Sequence, residues 1–275
     1  MARLNEQQRR LAIIIASALA LIATVAVTLA VNGGSTGRER GNEARKDAGD
    51  GPRAGKGPHA RPPARPVERP VPEDIAHATE NGGKAVNITI DDGPDPTWTP
   101  QVLRVLEDHR VKATFCMIGP QAKAHPDLVK QVVAAGHRLC NHTIGHDVTM
   151  DHKSVAYQKQ QILDAQKMIE EAAGGTTVHY YRAPGGAFTP DSRRIAAARG
   201  MRPLGWNVDT KDFELPGTDR IVRTVKDELS NGPTILFHDG GGPRGQTVEA
   251  LRQVLPWLKS QGYGFDFPEI RPAGN

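Results

Sequence analysis

The sequence predicts an α/β fold: a mainly parallel sheet, either open or closed into a barrel, preceded by a membrane-spanning segment and an extended linker. Two observations lead there. Short apolar, β-branched runs alternate with stretches of helical spacing through about the last 200 residues. Ahead of them, the composition changes abruptly from apolar to Pro/Gly-rich and basic.

Residues 1–10 carry Arg3, Arg9 and Arg10 against Glu6, and residues 11–31 then run for 21 positions without a charge. About 20 apolar residues cross a bilayer, whereas a secretory signal core is nearer 7–15. The length therefore predicts a retained signal anchor; cleavage near the small residues Thr28-Leu29-Ala30, giving a secreted protein, is the alternative. Because Arg9-Arg10 abut the apolar run, residues 1–10 are expected in the cytoplasm and the remainder outside it, a single-pass protein of the cell membrane.

Residues 32–83 read as a basic linker. Gly33-Gly34, Gly51-Pro52, Gly57-Pro58 and Pro62-Pro63 punctuate it, and through about residue 72 it has almost no large apolar side chain to offset the entropy of ordering. Residues 32–72 hold nine Lys and Arg against five Asp and Glu, and residues 1–10 hold three against one; the whole chain is +4, which leaves residues 73–275 at −2. The positive charge belongs to the arm, not to the folded domain. On an exported, tethered protein such an arm meets anionic lipid headgroups or an anionic cell wall, and nucleic acid is not expected as a partner.

Residues 84–270 are enough for one domain with its own core. Strands are expected at 86–90, 113–118, 138–141, 180–182, 202–208, 234–237 and 264–267, and helices at 101–108, 126–135, 155–173, 191–199, 219–229 and 247–260, with Ser154 and Thr218 standing at N-cap positions. No internal repeat is present. The two cysteines, Cys116 and Cys140, fall on consecutive strands, where a disulfide and a pair of buried thiols fit equally well.

The first strand ends in Asp91-Asp92-Gly93-Pro94. Two adjacent carboxylates repel, and a cation or an arginine is needed to separate their roles. His142 and His146 have the i, i+4 spacing that sets two imidazoles on one face of a helical turn. One carboxylate and two imidazoles make a facial set for a divalent metal, leaving the second carboxylate to act as a base. Arg182, in Tyr180-Tyr181-Arg182-Ala183-Pro184, Asp209 and Asp212, in residues 206–213, and His238, after residues 234–237, each have a structural reading when taken alone: an ion pair, turn residues, a core histidine. Together they lie at the C-terminal ends of the expected strands, where β/α folds assemble their sites.

These five segments resemble the motifs of the polysaccharide deacetylases, the NodB-homology or carbohydrate esterase family 4 domain. Residues 89–94 are similar to the first motif, 142–146 to the second, 182–186 to the third, 209–213 to the fourth and 236–238 to the fifth. The resemblance implies a distorted (β/α) barrel that removes acetyl groups from N-acetylglucosamine polymers or, in some members, from acetylated xylan. It implies Asp92, His142 and His146 as metal ligands, Asp91 as general base held by Arg182, and His238 as general acid partnered by Asp209. Gly185 would supply a backbone donor to the oxyanion, and Leu236, with Trp206 and Phe213, an apolar wall for the substrate. One divalent ion is implied; the Asp-His-His set suits zinc, with cobalt, nickel or manganese as alternatives. Ile90, Gly185 and Phe213 depart from the residues usual in these motifs, and none of the departures removes a ligand or an acid–base group. The expected substrate is peptidoglycan, with a chitin-type glycan and then acetylxylan behind it. A non-catalytic wall-binding protein on the same scaffold is the reading from a different class.

Overall fold

The computed structural model describes residues 71–271. The expected anchor at 11–31 and the linker as far as residue 70 lie outside the described residues, among which no helix is long and apolar enough to cross a membrane.

Eight strands form the centre: β1 (Ala85–Asp91), β2 (Ala113–Met117), β3 (Arg138–Asn141), β4 (Tyr180–Tyr181), β5 (Arg202–Pro203), β6 (Val208–Asp209), β7 (Thr234–His238) and β8 (Gly264–Phe265). All the strand pairs are parallel. They run in the order β5-β4-β3-β2-β1-β7-β6, with β8 against β1. At about 4.8 Å per strand, a flat sheet would hold β5 and β6 about 29 Å apart. The chain from Pro203 to Val208 reaches only about 17 Å when fully extended. The sheet must therefore curl, and it forms a partial barrel whose seam lies between β5 and β6. The expected single strand at 202–208 is thus two short strands on opposite sides of that seam.

Period-2 alternation on these strands sorts the residues into two layers. Ile90, Phe115, Leu139, Tyr181 and Phe237 belong to the main hydrophobic cluster between sheet and helices. The alternate positions turn inward. Register pairs Asp91 with both Cys116 and His238, Cys116 with Cys140, Cys140 with Tyr180, and Thr89 with Leu236. A small inner cluster of Cys116, Cys140, Tyr180 and Leu204 fills the barrel below its C-terminal rim. Cys116 and Cys140 are joined as a disulfide there.

The helices Thr99–Asp108, Pro126–Ala134, Val155–Ala172, Pro190–Ala197, Thr218–Glu228 and Gly245–Ser260 cover the sheet. Ser154 caps the third, accepting from the Tyr157 N–H. Thr218 is not a cap: Gly217 holds that position with no side-chain bond, and Thr218 is the first helical residue. A short helix, Gly119–Ala124, has no counterpart in the sequence reading; Gly119-Pro120 looks like a breaker, yet Pro is well placed in a first helical turn.

The domain also begins earlier than residue 84. Val71, Ala76 and Thr79 are buried, and residues 71–83 form a strap across the seam. Ala76 bridges Leu204 in parallel and Thr79 bridges Pro268. Backbone hydrogen bonds hold the strap together with a few buried side chains, Val71 and Ala76 among them, too sparse to make an apolar period, which is why its composition reads as linker.

Candidate active site

The inward-facing ends of β1, β3, β4 and β7 meet at one rim, around a pocket of about 410 Å³ lined by Asp91, Asp92, His142, His146, Gly185, Trp206, Asp209, Phe213, Leu236 and His238. Of the residues singled out in the sequence, Arg182 and Asp212 are not part of the lining; both lie behind it, fully buried.

Asp91 and Asp92 part company because of the backbone. Asp92 continues the ladder through its N–H to the Cys116 carbonyl, 3.1 Å, and then adopts φ 77°, a left-handed conformation that aspartate tolerates better than most residues. Asp91 stays on the inner face. Its Oδ1 accepts from Arg182 Nη1 at 2.7 Å. The same guanidinium donates to Thr89 Oγ1 (2.9 Å), to the Leu204 carbonyl (3.2 Å) and to the Gly205 carbonyl (2.8 Å). Arg182 is thus held on all sides, and Asp91 Oδ2 is left facing the pocket, 3.5 Å from His142 Nε2. Burial raises the Asp91 carboxyl, against the pull of Arg182 and His238.

Asp92, His142 and His146 present ligand atoms that all lie within 4.8 Å of one another. Asp92 Oδ1 is 3.2 Å from His146 Nε2 and 3.6 Å from His142 Nε2. Atoms bound tetrahedrally at about 2.0–2.2 Å from a zinc-sized ion stand about 3.3 Å apart, so the spacing fits one. Two further observations fit a divalent ion. Asp92 Oδ1 is buried with no hydrogen-bond partner. His142 Nδ1 lies 2.8 Å from the Arg182 carbonyl, which can only accept, so Nδ1 carries the proton and Nε2 keeps its lone pair for a cation. Burial pushes the His142 imidazole down to about 3, keeping it neutral.

The two histidines do not share a helical turn, as their spacing suggested. Residues 142–146 form a loop in which Thr143 (φ 68°) and His146 (φ 46°) are left-handed. Side chains fix that loop: Asn141 Oδ1 accepts from the Thr143 N–H (2.8 Å), Gln161 Oε1 from the Gly145 N–H (2.8 Å) and Thr143 Oγ1 from the His146 N–H (3.2 Å).

His238 faces Asp91 across the pair β1–β7. Its partner is Asp212, not Asp209. Asp212 Oδ1 lies 2.7 Å from His238 Nδ1, and Oδ2 accepts from the His238 backbone N–H (2.9 Å) and Thr247 Oγ1 (2.7 Å). Asp209 ends β6 and is spent on Lys211, whose Nζ is 2.8 Å away. The reason is local: Lys211 is left-handed, φ 53°, and this turn carries the chain inward so that Asp212, three residues on, reaches the histidine. Burial works against a charge on His238, but the hydrogen bond and charge of Asp212, with Asp91 and Asp92 beyond, hold it up at about 9. Asp212 is itself held below its ordinary value, the bonds from His238 and Thr247 outweighing burial.

Around these groups, Leu236 is buried, Gly185 lies in the left-handed region at φ 59°, and the Phe213 ring stands edge-on to His238 with centroids 5.1 Å apart. Phe213 is 41% exposed, an apolar face at the mouth. Sequence reasoning missed Val148, Lys211 and Arg244, which also line the pocket, and Asp239 beneath it. Asp239 accepts from Thr99 Oγ1 at 2.6 Å, and burial, with the nearby carboxylates, pushes it up to about 7. Its place directly after His238 was the one available signal.

A set of three ligand side chains, an arginine-held carboxylate and a protonated imidazole around one pocket can support hydrolysis of an acyl bond. The profile of the polysaccharide deacetylases matches residues 78–204. The chain is 40% identical over 187 residues to a peptidoglycan-N-acetylglucosamine deacetylase of Bacillus cereus, covering 67% of this chain and 86% of that protein. It is 38% identical over 193 residues to a chitooligosaccharide deacetylase of Sinorhizobium fredii, covering 66% and 89%. Among solved structures, a family 4 carbohydrate esterase pseudoenzyme of Bacillus anthracis superposes with TM-score 0.65 at 28% identity, over 72% of this chain and 68% of that one.

Proposed function

This chain belongs to the polysaccharide deacetylase family, and on that premise we propose that it removes N-acetyl groups from N-acetylglucosamine in peptidoglycan. One observation carries the catalytic reading. Asp92 Oδ1 is left without a hydrogen-bond partner beside His142 and His146, while Asp91 is committed to Arg182. Likeness to the pseudoenzyme's fold alone would leave a non-catalytic wall-binding role open; the complete set of Asp91, Asp92, His142, His146 and His238 speaks against it.

Asp92, His142 and His146 would hold the divalent ion, and the donor set suits zinc. The chemistry such an ion supplies is polarisation of the acetyl carbonyl and acidification of water. Asp91, oriented by Arg182 through Oδ1, takes the water's proton on Oδ2, where its raised basicity helps. The backbone N–H of Gly185 is the proposed donor to the oxyanion. His238, held protonated and oriented by Asp212, gives its proton to the departing sugar nitrogen. Leu236 and Trp206 enclose the acetyl methyl, and the exposed Phe213 ring offers a face for the sugar.

The choice of peptidoglycan rests on the relative from Bacillus cereus and on placement. Residues 11–31 would anchor the protein in the cell membrane, with the catalytic domain outside on a basic arm that meets the wall. Recovery in salt-washed membranes supports the anchor; recovery in the medium, with a new N-terminus near residue 31, would replace it with a secreted form. The relative from Sinorhizobium fredii favours a second substrate, chitooligosaccharides. Acetate release from purified peptidoglycan and from chitopentaose, with and without a chelator, tests both. Chelator-sensitive release from peptidoglycan is expected, and release from neither would overturn the enzyme reading.

A further inference from the structure

Arg182 orients Asp91, and two of its four acceptors are the carbonyls of Leu204 and Gly205. These carbonyls lie just past the end of β5, at the open seam; β4 holds one side, where the Leu204 N–H donates to the Tyr181 carbonyl at 2.9 Å, and no strand flanks the other. The strap flanks it instead. The Ala76 N–H donates to the Pro203 carbonyl at 2.8 Å, and the Gly205 N–H donates to the Ala76 carbonyl at 2.9 Å, so Leu204 is flanked by two backbone bonds to the same strap residue. One residue on, the His77 carbonyl accepts from Thr234 Oγ1 at 2.7 Å, which ties the strap to the start of β7 on the far side of the seam. One residue before Ala76, Ile75 closes over Gly205, as does His77. A Cβ on Gly205 would fall on the His77 ring and against Ile75, and the Gly205 φ is not left-handed; glycine is there for closeness, not for conformation. Farther back, Asp74 Oδ2 pairs with Arg202 Nη2 at 2.6 Å, a guanidinium that is almost completely buried.

The geometry points to a positioning role in catalysis for strap residues 74–77, a segment that the motifs do not touch. We propose that Ala76 sets the Leu204 and Gly205 carbonyls, that these set the guanidinium of Arg182, and that Arg182 thereby sets the carboxylate of Asp91. The strap touches none of the reacting groups and lies away from the ligands Asp92, His142 and His146. The proposal rests on Asp91 as the general base.

The test uses the full-length, metal-loaded chain. Ala76→Pro removes the N–H that reaches Pro203 while leaving an extended backbone. A misplacement well under 1 Å in a catalytic group costs about tenfold in rate, and 1 Å about a hundredfold. Ala76→Pro is therefore expected to lower kcat about tenfold or more on chitopentaose, with KM and metal content per folded chain unchanged. Thr234→Val, which cuts only the bond to His77, should move kcat in the same direction by a smaller factor and decides the matter if Ala76→Pro does not fold. Unchanged kcat in the folded variants, or a loss that only tracks the loss of metal and folded protein, would overturn the proposal. Asp91→Asn measured alongside keeps the two readings apart. If Asp91→Asn still turns over, the base assignment fails; if it is inactive while the strap variants are normal, the strap proposal alone fails.

Discussion

Asp212 Oδ1 lies 2.7 Å from His238 Nδ1, and its other oxygen accepts the backbone N–H of the same histidine. This double grip fixes the imidazole's orientation and its charge together. Asp209, at the end of β6, makes neither contact.

The two aspartates should therefore behave differently. As the proposed acid, His238 must be protonated, so activity is expected to fall as pH rises through about 9, or somewhat lower where a bound cation offsets Asp92. In Asp212→Asn the charge that holds the proton is gone. The alkaline limb of kcat/KM should move down towards the ordinary histidine value of 6.5, with turnover reduced by about a hundredfold or more. Asp209→Asn should leave the limb in place. A pH–rate profile of the three proteins measures this, and a shifted limb in Asp209→Asn alone would reverse the assignment.

Arg182→Lys is expected to damage stability as well as rate. A lysine ammonium cannot reach Asp91, Thr89, Leu204 and Gly205 at once, and each buried acceptor left unpaired costs about 1–3 kcal/mol. Urea unfolding should show a loss of at least about 2 kcal/mol. A variant as stable as the parent would mean that the four bonds are not what holds this guanidinium.

Gly93→Ala tests the packing under the site. A Cβ at Gly93 would fall on the Asp239 carboxylate, which is buried and held by Thr99. Overpacking of this kind costs about 1–3 kcal/mol. Thermal unfolding should register it as a lower Tm, and an unchanged Tm would show that Asp239 can move aside.

How much of this was legible in the sequence follows from what holds each part. The strands that end in Asp91 and His238 are buried on both faces and rich in β-branched and apolar residues, so composition alone marks them. Register then aligns their ends without further information. The strap was not legible, because main-chain bonds from Ala76 hold it and leave no apolar period. Asp212 stood among the candidates, but its pairing with His238 in place of Asp209 was hidden by the left-handed Lys211, a lysine that no turn rule singles out. The His142–His146 loop was misjudged for a related reason: i, i+4 spacing is only helical when the backbone is, and here Asn141 and Gln161 side chains, the second of them 16 positions along the chain from the Gly145 it binds, shape a different turn.

The central claim is the division of labour between Asp91 and Asp92, one a base held by arginine and the other a ligand. Bound metal and acetate release, measured together on Asp91→Asn and His146→Ala, test it most directly. Asp91→Asn is predicted to retain metal at the level of the unmutated protein while losing turnover by about a hundredfold or more, and His146→Ala to lose the metal itself. Equal metal loss in both variants, or turnover preserved in Asp91→Asn, would contradict it.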